Sequence, residues 1–177
     1  MPTKTVMDSD SVNRTISRIV NQILERNNGA GELAIIGIRT RGVYIAERIA
    51  GEIEKLEGIR PPMGILDISF YRDDLMRKTE WPNVKKTEIP FPVEDKKVIL
   101  VDDVIYTGRT IRAAIDEIMD YGRPSSIQLV ALVDRGLREL PIQPDYVGSK
   151  LDTLSSEEVK VRLKEADGTD EVILVTG

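Results

Sequence analysis

The chain has 177 residues, of which 41% are hydrophobic and 31% charged, and its formal net charge is −5. This composition excludes a disordered or fibrous chain and, without a membrane-length apolar run or a secretory signal near its start, it predicts one cytoplasmic domain over residues 1–177. Because cysteine and histidine are absent, disulfides, thiolate metal sites and the usual histidine general base are excluded.

The amino-terminal part of the chain predicts a helix and then a strand, a loop and a second helix. Apolar residues recur every three or four positions over about Ser9–Asn28, which is typical of an amphipathic helix. The apolar run Leu33–Ile38 predicts a buried strand, and Gly37–Gly42 is the loop after it. The inner side of the second helix is predicted to consist of Val43, Ala46, Ile49, Ala50, Ile53 and Leu56.

Next come a predicted strand and a long loop. Met63–Tyr71 alternates between apolar and polar residues, which favours a strand. Residues 72–92 are rich in charge, contain three prolines and have no period, so we predict a flexible arm. An ordinary surface excursion is the alternative.

The segment 98–110 is the most informative part of the chain. Val98–Val101 are consecutive apolar residues, mostly β-branched, which favours a parallel strand covered on both faces. Asp102 and Asp103 are then expected to mark its carboxyl end. Tyr106–Thr110 is expected to lead into a helix, because apolar residues at helical spacing follow it, namely Ile111, Ala114, Ile115, Ile118 and Met119.

This segment carries the groups that a phosphorylated ribose requires. The unpaired N–H groups of a first helical turn attract anions, Gly108 lets the backbone approach a ligand, and Thr107 and Thr110 add hydroxyls. Adjacent carboxylates beside a phosphate are unfavourable unless they meet hydroxyl donors or a cation, and ribose hydroxyls and Mg²⁺ both qualify. The segment therefore predicts a sugar-phosphate site. The alternative is that Asp102 and Asp103 only cap a strand and that the turn only starts a helix.

The rest of the chain continues the alternation of strands and helices. We predict a strand at Ile127–Val133, a loop at Asp134–Asp145, a short strand at Tyr146–Val147, and two antiparallel strands around Val159–Leu163 and at Glu171–Val175. The fold class is therefore α/β, a mostly parallel twisted sheet flanked by helices, with a small antiparallel hood over about residues 150–177. Ligands of such sheets bind beyond the carboxyl ends of the strands, where loops 37–42, 102–110 and 134–138 are expected to meet.

Two further groups of basic residues are candidates for binding anions. The loop with Arg39, Thr40 and Arg41 offers backbone donors, a hydroxyl and two guanidiniums, which suits pyrophosphate, although a solvated basic turn is the alternative. On the first helix a polar row recurs every four residues, and such a row can follow phosphates or can simply be solvated. Its members are Arg14, Arg18, Gln22 and Arg26.

Several of these segments together resemble one known family. Val98–Thr110 resembles the phosphoribosyl-pyrophosphate (PRPP) signature of type I phosphoribosyltransferases. The chain is also similar to the PyrR family, whose members are uracil phosphoribosyltransferases that in some bacteria also bind pyrimidine-operon mRNA and promote its attenuation. The segments that carry this second resemblance are Ile38–Gly42, Tyr71–Leu75, Gly122–Ser126, Val133–Gly136 and Arg138–Pro141.

The resemblance implies a role for each loop in binding PRPP. Asp102 and Asp103 would hold the ribose hydroxyls, and Thr40 and Arg41 would contact pyrophosphate. Arg72, on a loop that closes over the site, would also contact pyrophosphate. The other residues implied for binding PRPP are Val104, Ile105, Tyr106, Thr107, Gly108, Arg109 and Thr110, of which Tyr106–Thr110 would bind the 5-phosphate. The pyrophosphate loop often holds a non-proline cis peptide in related enzymes, and Thr40–Arg41 is the candidate bond.

The resemblance also implies the remaining ligands and partners. Asp134, Arg135 and Val159 would surround the pyrimidine, although a purely structural turn is the alternative for the loop after Val133. Mg²⁺ would arrive with PRPP and the ribose hydroxyls, with no direct protein ligand assigned. RNA would be bound by Arg18, Arg26 and Arg138, on a surface completed by subunit association, so a homo-oligomer is expected.

The predicted function is therefore the formation of UMP and pyrophosphate from uracil and PRPP, together with UMP-responsive binding of pyrimidine-operon leader mRNA. Two alternatives stay open. The chain is an RNA-binding attenuator with little catalysis, or it is a phosphoribosyltransferase for another nucleobase, because only the loop after Val133 reads the ring.

Overall fold

A computed structural model of the chain describes residues 1–68 and 87–177. Arg72 and most of the predicted arm lie outside the described residues. The elements of the described part are β1 (Thr3–Met7), α1 (Ser9–Asn27), β2 (Leu33–Ile38), α2 (Arg41–Glu57), β3 (Met63–Leu66), β4 (Lys97–Ile105), α3 (Arg109–Tyr121), β5 (Ser126–Asp134), β6 (Tyr146–Lys150), β7 (Glu158–Arg162), α4 (Lys164–Asp167) and β8 (Glu171–Val175).

The larger sheet has five parallel strands in the order β3-β2-β4-β5-β6, with helices on both faces. Successive residues of β4 point to opposite faces, so Ile99 and Val101 pack with α1 and α2 while Val98 and Leu100 pack with α3. Because both faces are covered, the central strands contain long runs without a polar side chain, Leu33–Ile38 in β2 and Val98–Val101 in β4. The predicted α/β architecture is confirmed.

The smaller sheet is antiparallel, with the strand order β1-β8-β7. The predicted pairing of the two carboxyl-terminal strands is confirmed, and Val159, Val161 and Val172 pack against the same core as α1 and α2. The start of the chain adds β1 beside β8, which the sequence analysis did not predict. Residues 3–5 of β1 are exposed and polar, so they carry no apolar alternation that could indicate a strand.

Some details of burial and pairing differ from the prediction. Leu56 and Met119 were expected on the buried sides of α2 and α3, but each is 58% exposed. Met119 lies about 100° around the helix from the buried Ile118, which turns it away from the sheet. In the described part of the predicted arm, Glu88 pairs with Ile65 of β3.

No helix in the described ranges combines the length and the apolar character needed to cross a membrane.

Candidate active site

Gly42 brings the start of α2 against the middle of the sheet. A Cβ atom on Gly42 would lie 2.5 Å from the carbonyl oxygen of Val101 and 3.2 Å from the Cα of Asp102, so only glycine permits this approach. The loop after β2 therefore lies directly beside the acidic pair on β4, as predicted for loops that share one edge of a parallel sheet.

The non-proline cis peptide of this loop is Arg39–Thr40, so the predicted position, Thr40–Arg41, is wrong by one residue. The Thr40 carbonyl accepts a hydrogen bond from the Val43 N–H group at 3.3 Å, which places the Thr40–Arg41 peptide in the first turn of α2. A helical turn is built from trans peptides, so the cis bond lies one residue earlier, just after β2.

Asp102 and Asp103 lie within β4, because the strand continues to Ile105 and Asp102 pairs with Ala131 of β5. The prediction that the acidic pair ends the strand is therefore wrong. The reason is that β5 is long enough to continue the ladder past the pair. The Asp103 N–H donates to Asp102 Oδ1, and the Val104 N–H donates to Asp103 Oδ1, both at 2.9 Å. Local backbone groups thus orient both carboxylates.

The turn between β4 and α3 has the features of an anion site. Gly108 has φ +93°, a left-handed conformation that glycine adopts without the steric cost of a Cβ atom. The Arg109 N–H donates to Thr107 Oγ1 at 3.2 Å, and α3 begins at Arg109. The N-cap residue of α3, Gly108, offers no side-chain cap, so the N–H groups that follow Arg109 in the first turn can serve an anion.

These groups line one crevice of about 440 Å³. Its described lining consists of residues 102–111 together with Arg135 and Val159. The acidic pair, the predicted phosphate loop and two of the predicted base-binding residues therefore meet in one place. Thr40 and Arg41 lie beside this lining and are not part of it. The hydrogen bond to Asp167 raises the pKa of Arg41 and outweighs burial, which lowers it, and the charge of Asp103 adds a smaller increase, so the pKa stays above its usual value.

Arg135 connects the crevice to the hood. Its Nε donates to Thr153 Oγ1 at 3.1 Å, and its Nη2 donates to the carbonyls of Leu154 and Glu157 at 3.1 and 2.8 Å. Its guanidinium also lies over the Tyr106 ring, 4.1 Å from the ring centre. Arg135 therefore holds the segment before β7 close to the phosphate loop.

Asp134 closes its own loop, which is the arrangement expected for the structural-turn alternative. Its Oδ1 accepts from the Gly136 N–H at 3.0 Å, and its Oδ2 accepts from Arg138 at 2.7 Å. Burial alone would raise the pKa of Asp134, but the hydrogen bonds from Arg138 and Gly136 outweigh it and leave the pKa lowered. The carboxylate is thus charged and engaged at neutral pH.

The chain is similar to known proteins over nearly its whole length. The phosphoribosyl transferase domain model matches residues 3–166. Two proteins named Bifunctional protein PyrR are similar over nearly the whole chain. The one from Deinococcus radiodurans is 54% identical over 98% of this chain and 94% of its own length, and the one from Pelotomaculum thermopropionicum is 56% identical over 96% and 94%. The chain belongs to the PyrR family.

The PyrR-family fold is shared with more distant solved structures. The hypoxanthine phosphoribosyltransferase of Trypanosoma cruzi has a TM-score of 0.72 at 16% identity, covering 98% of this chain and 96% of its own. A hypoxanthine-guanine phosphoribosyltransferase from Bacillus anthracis has a TM-score of 0.69 at 17% identity, covering all of both chains. The predicted phosphoribosyltransferase fold is thereby confirmed.

In this PyrR-family chain Arg138, which was predicted to bind RNA, is largely buried, with 13% of its side chain exposed. Its Nε donates to the Ile142 carbonyl at 2.7 Å and its Nη1 donates to the Tyr106 carbonyl at 2.9 Å, while Nη2 pairs with Asp134. Arg138 thus braces the phosphate loop against the loop after β5. Sequence reasoning missed this role, and the only signal was an arginine four residues after an aspartate.

The polar row of α1 is exposed, as predicted. Arg18 donates to the carbonyls of Val147 and Gly148 at 3.2 and 2.7 Å, both on the edge strand β6. Arg26 pairs with Asp145 at 2.8 Å, and 52% of the Arg26 side chain is exposed. Arg18 and Arg26 therefore both lie along the edge of the sheet, on the same exposed face of α1.

Proposed function

We propose that this chain transfers the phosphoribosyl group of PRPP to uracil in the crevice at the carboxyl edge of the sheet, yielding UMP and pyrophosphate. One observation carries the proposal. Two carboxylates oriented by the backbone and the first turn of α3, whose N-cap residue Gly108 offers no side-chain cap, line the same crevice. Together they match the diol at one end of a phosphorylated ribose and the ester at the other.

The side chains divide the substrate between them. Asp102 and Asp103 accept hydrogen bonds from the ribose hydroxyls, and residues 106–110 bind the 5-phosphate. Thr40 and Arg41 contact pyrophosphate, as does Arg72, which lies outside the described residues. A bond forms between the ribose C1 and uracil N1, the bond from C1 to the pyrophosphate oxygen breaks, and the N1 proton is released. The nearby carboxylates stabilise the positive charge that develops on the sugar.

Mg²⁺ fits this site as a companion of the substrate. In the part of the chain that the structure describes, no group of three or more acidic side chains could hold a metal ion by itself. Mg²⁺ typically keeps several waters and binds through one or two carboxylates and substrate phosphates. Asp102 and Asp103 would hold it through the ribose hydroxyls, and the ion would neutralise the pyrophosphate leaving group.

The base that the crevice accepts is tested by an assay with several substrates. Uracil, hypoxanthine, guanine and orotate are offered separately with PRPP and Mg²⁺, and we expect turnover with uracil alone. Asp102→Asn combined with Asp103→Asn should lower the rate of UMP formation by roughly a thousand-fold, because both charges facing the sugar are lost. The matched control is Asp116→Asn with Asp120→Asn on the exposed side of α3. Unchanged turnover of the first double variant contradicts the proposal.

We also propose that the chain binds the leader of pyrimidine-operon mRNA, and the exposed row on α1 favours this second function. The proposal rests on Arg18 and Arg26, because the guanidinium of Arg138 is engaged inside the protein. Binding should be strengthened by UMP and weakened by salt, since arginines that contact phosphates displace bound cations. Equal affinity for a scrambled leader of the same length contradicts it. Subunit association, which would complete this surface, stays a prediction.

A further inference from the structure

One arginine of the pyrophosphate loop is held by the hood. Arg41 Nε and Nη2 donate to the two carboxylate oxygens of Asp167, at 3.2 and 2.8 Å. This paired geometry fixes the plane of the guanidinium as well as its position. It joins the first residue of α2 to the last residue of α4.

Asp167 is itself fixed in place. Its Oδ2 also accepts a hydrogen bond from the Leu163 N–H group at 2.9 Å, and the Leu163 side chain is fully buried. The same turn is anchored further along α2 by Arg48, which pairs with Glu165 and with the buried Asp170 at 2.7 Å each. Arg41 and Arg48 are seven residues apart, so they lie on the same side of α2. The turn at residues 163–170 is therefore a rigid support for Arg41.

The pairing leaves part of Arg41 available to a ligand. A guanidinium has five N–H donors in a fixed fork, and Asp167 uses the Nε side. Among residues 1–68 and 87–177, no residue accepts a hydrogen bond from Arg41 Nη1. Asp103 lies close enough to contribute to the raised pKa of Arg41, so the guanidinium is near the acidic pair. A guanidinium that is already held loses less side-chain entropy when it binds an anion.

We propose that Asp167 is a positioning residue for the transferase reaction: it holds Arg41 so that the remaining edge of the guanidinium binds pyrophosphate. This inference rests on the proposed function. It adds a hood residue, far from the PRPP segment in the sequence, to the groups that determine the affinity for PRPP and for its pyrophosphate product. The ribose and the 5-phosphate are bound without it.

Asp167→Asn tests the proposal, because the amide can keep the bond from Leu163 but cannot pair with both Arg41 nitrogens. The dissociation constant of magnesium pyrophosphate and the KM for PRPP should each rise roughly ten-fold, in keeping with the loss of a charge-assisted hydrogen bond. The affinity for UMP, which lacks the pyrophosphate group, should stay within about two-fold of the wild-type value. Asp167→Glu should recover part of the pyrophosphate affinity. Titration calorimetry and steady-state kinetics measure these constants.

The matched control is Glu171→Gln, which removes another hood ion pair, that of Arg162 with Glu171 at 2.9 Å, and should change neither constant. Unchanged pyrophosphate affinity in Asp167→Asn overturns the proposal. So does an equal loss of UMP affinity, which indicates general displacement of the hood, or a gain in pyrophosphate affinity, which indicates that Asp167 competes with the ligand. If the wild-type protein binds neither PRPP nor UMP, the proposed function itself fails.

Discussion

The carboxyl edge of the parallel sheet and the outer side of α1 both carry arginines, but the two regions use them differently. At the sheet edge, Arg135 and Arg138 donate to backbone and side-chain oxygens inside the protein and are mostly buried. On α1, Arg18 and Arg26 are exposed, and their partners among residues 1–68 and 87–177 lie along strand β6 and at the residue before it. The same residue type therefore fixes loops in one region and presents charge in the other.

This difference predicts how much stability and function are lost when each arginine is substituted. Removing one member of a buried ion pair leaves the other charge buried and unpaired, which lowers the stability of the fold strongly. An exposed ion pair contributes little to stability, because water and salt compete with it. Substitutions at the sheet edge should therefore lower both stability and catalysis. Substitutions on α1 should affect only the binding of a partner.

The largest effect is expected for Arg138→Gln. It leaves the buried Asp134 carboxylate without its guanidinium and frees the Tyr106 carbonyl, so the free energy of unfolding should fall by about 3 kcal/mol. The KM for PRPP should rise as well, because the phosphate loop loses its brace. Urea unfolding and steady-state kinetics measure both changes. Arg112→Gln is the control, since 67% of that side chain is exposed, and an equal effect of the two substitutions contradicts the ranking.

An intermediate effect is expected for Asp170→Asn in the hood, with a definite dependence on pH. Burial would raise the pKa of Asp170, but the hydrogen bonds from Arg48 and from the Lys164 N–H outweigh it and leave the pKa below its usual 3.8. The folded state therefore gains stability above that pH and loses it as the pH falls through the lowered value. At pH 7 the variant should be about 2 kcal/mol less stable than wild type.

The difference between Asp170→Asn and wild type should shrink as the pH is lowered below about 4, because the wild-type carboxylate is then protonated and loses its advantage. Urea unfolding of both proteins, at pH values from about 3 to about 7 in steps of about one pH unit, measures this difference in the free energy of unfolding. A difference that stays constant, or that grows toward low pH, shows that Asp170 does not act through its charge.

The smallest effect on stability is expected for Arg18→Ala combined with Arg26→Ala. The free energy of unfolding should change by less than about 1 kcal/mol, and the rate of UMP formation should be unchanged. The affinity for leader RNA should fall at least about ten-fold, and the salt dependence of binding should become less steep. Filter binding at several salt concentrations measures this. A loss of catalysis without a loss of RNA affinity contradicts the proposal that α1 serves RNA binding and not catalysis.

The elements that could be predicted are those with a complete local pattern. The apolar runs that became β2 and β4, the helical spacing of α1 and the Asp-Asp and Thr-Gly sequence before α3 each carry their own signal. The place where the loops after these strands meet follows from the topology of a parallel sheet. The sequence could therefore predict that the acidic pair and residues 106–110 meet in one crevice.

The features that could not be predicted depend on partners distant in sequence. β1 is a strand only because β8 lies beside it, and β4 continues past Asp102 because β5 continues the ladder. The pairing of Arg41 with Asp167 joins positions separated by 126 residues, and no spacing rule connects them. The internal role of Arg138 likewise depends on the Tyr106 carbonyl, which a sequence pattern does not specify.

A crystal structure of the protein with UMP and Mg²⁺ tests the central claim most directly. The account predicts the phosphate of UMP against the N–H groups of residues 107–110, with the ribose hydroxyls within hydrogen-bond distance of Asp102 and Asp103. The uracil ring should lie near Arg135 and Val159. A nucleotide bound outside this crevice, or a crevice that stays empty at saturating UMP, contradicts the account.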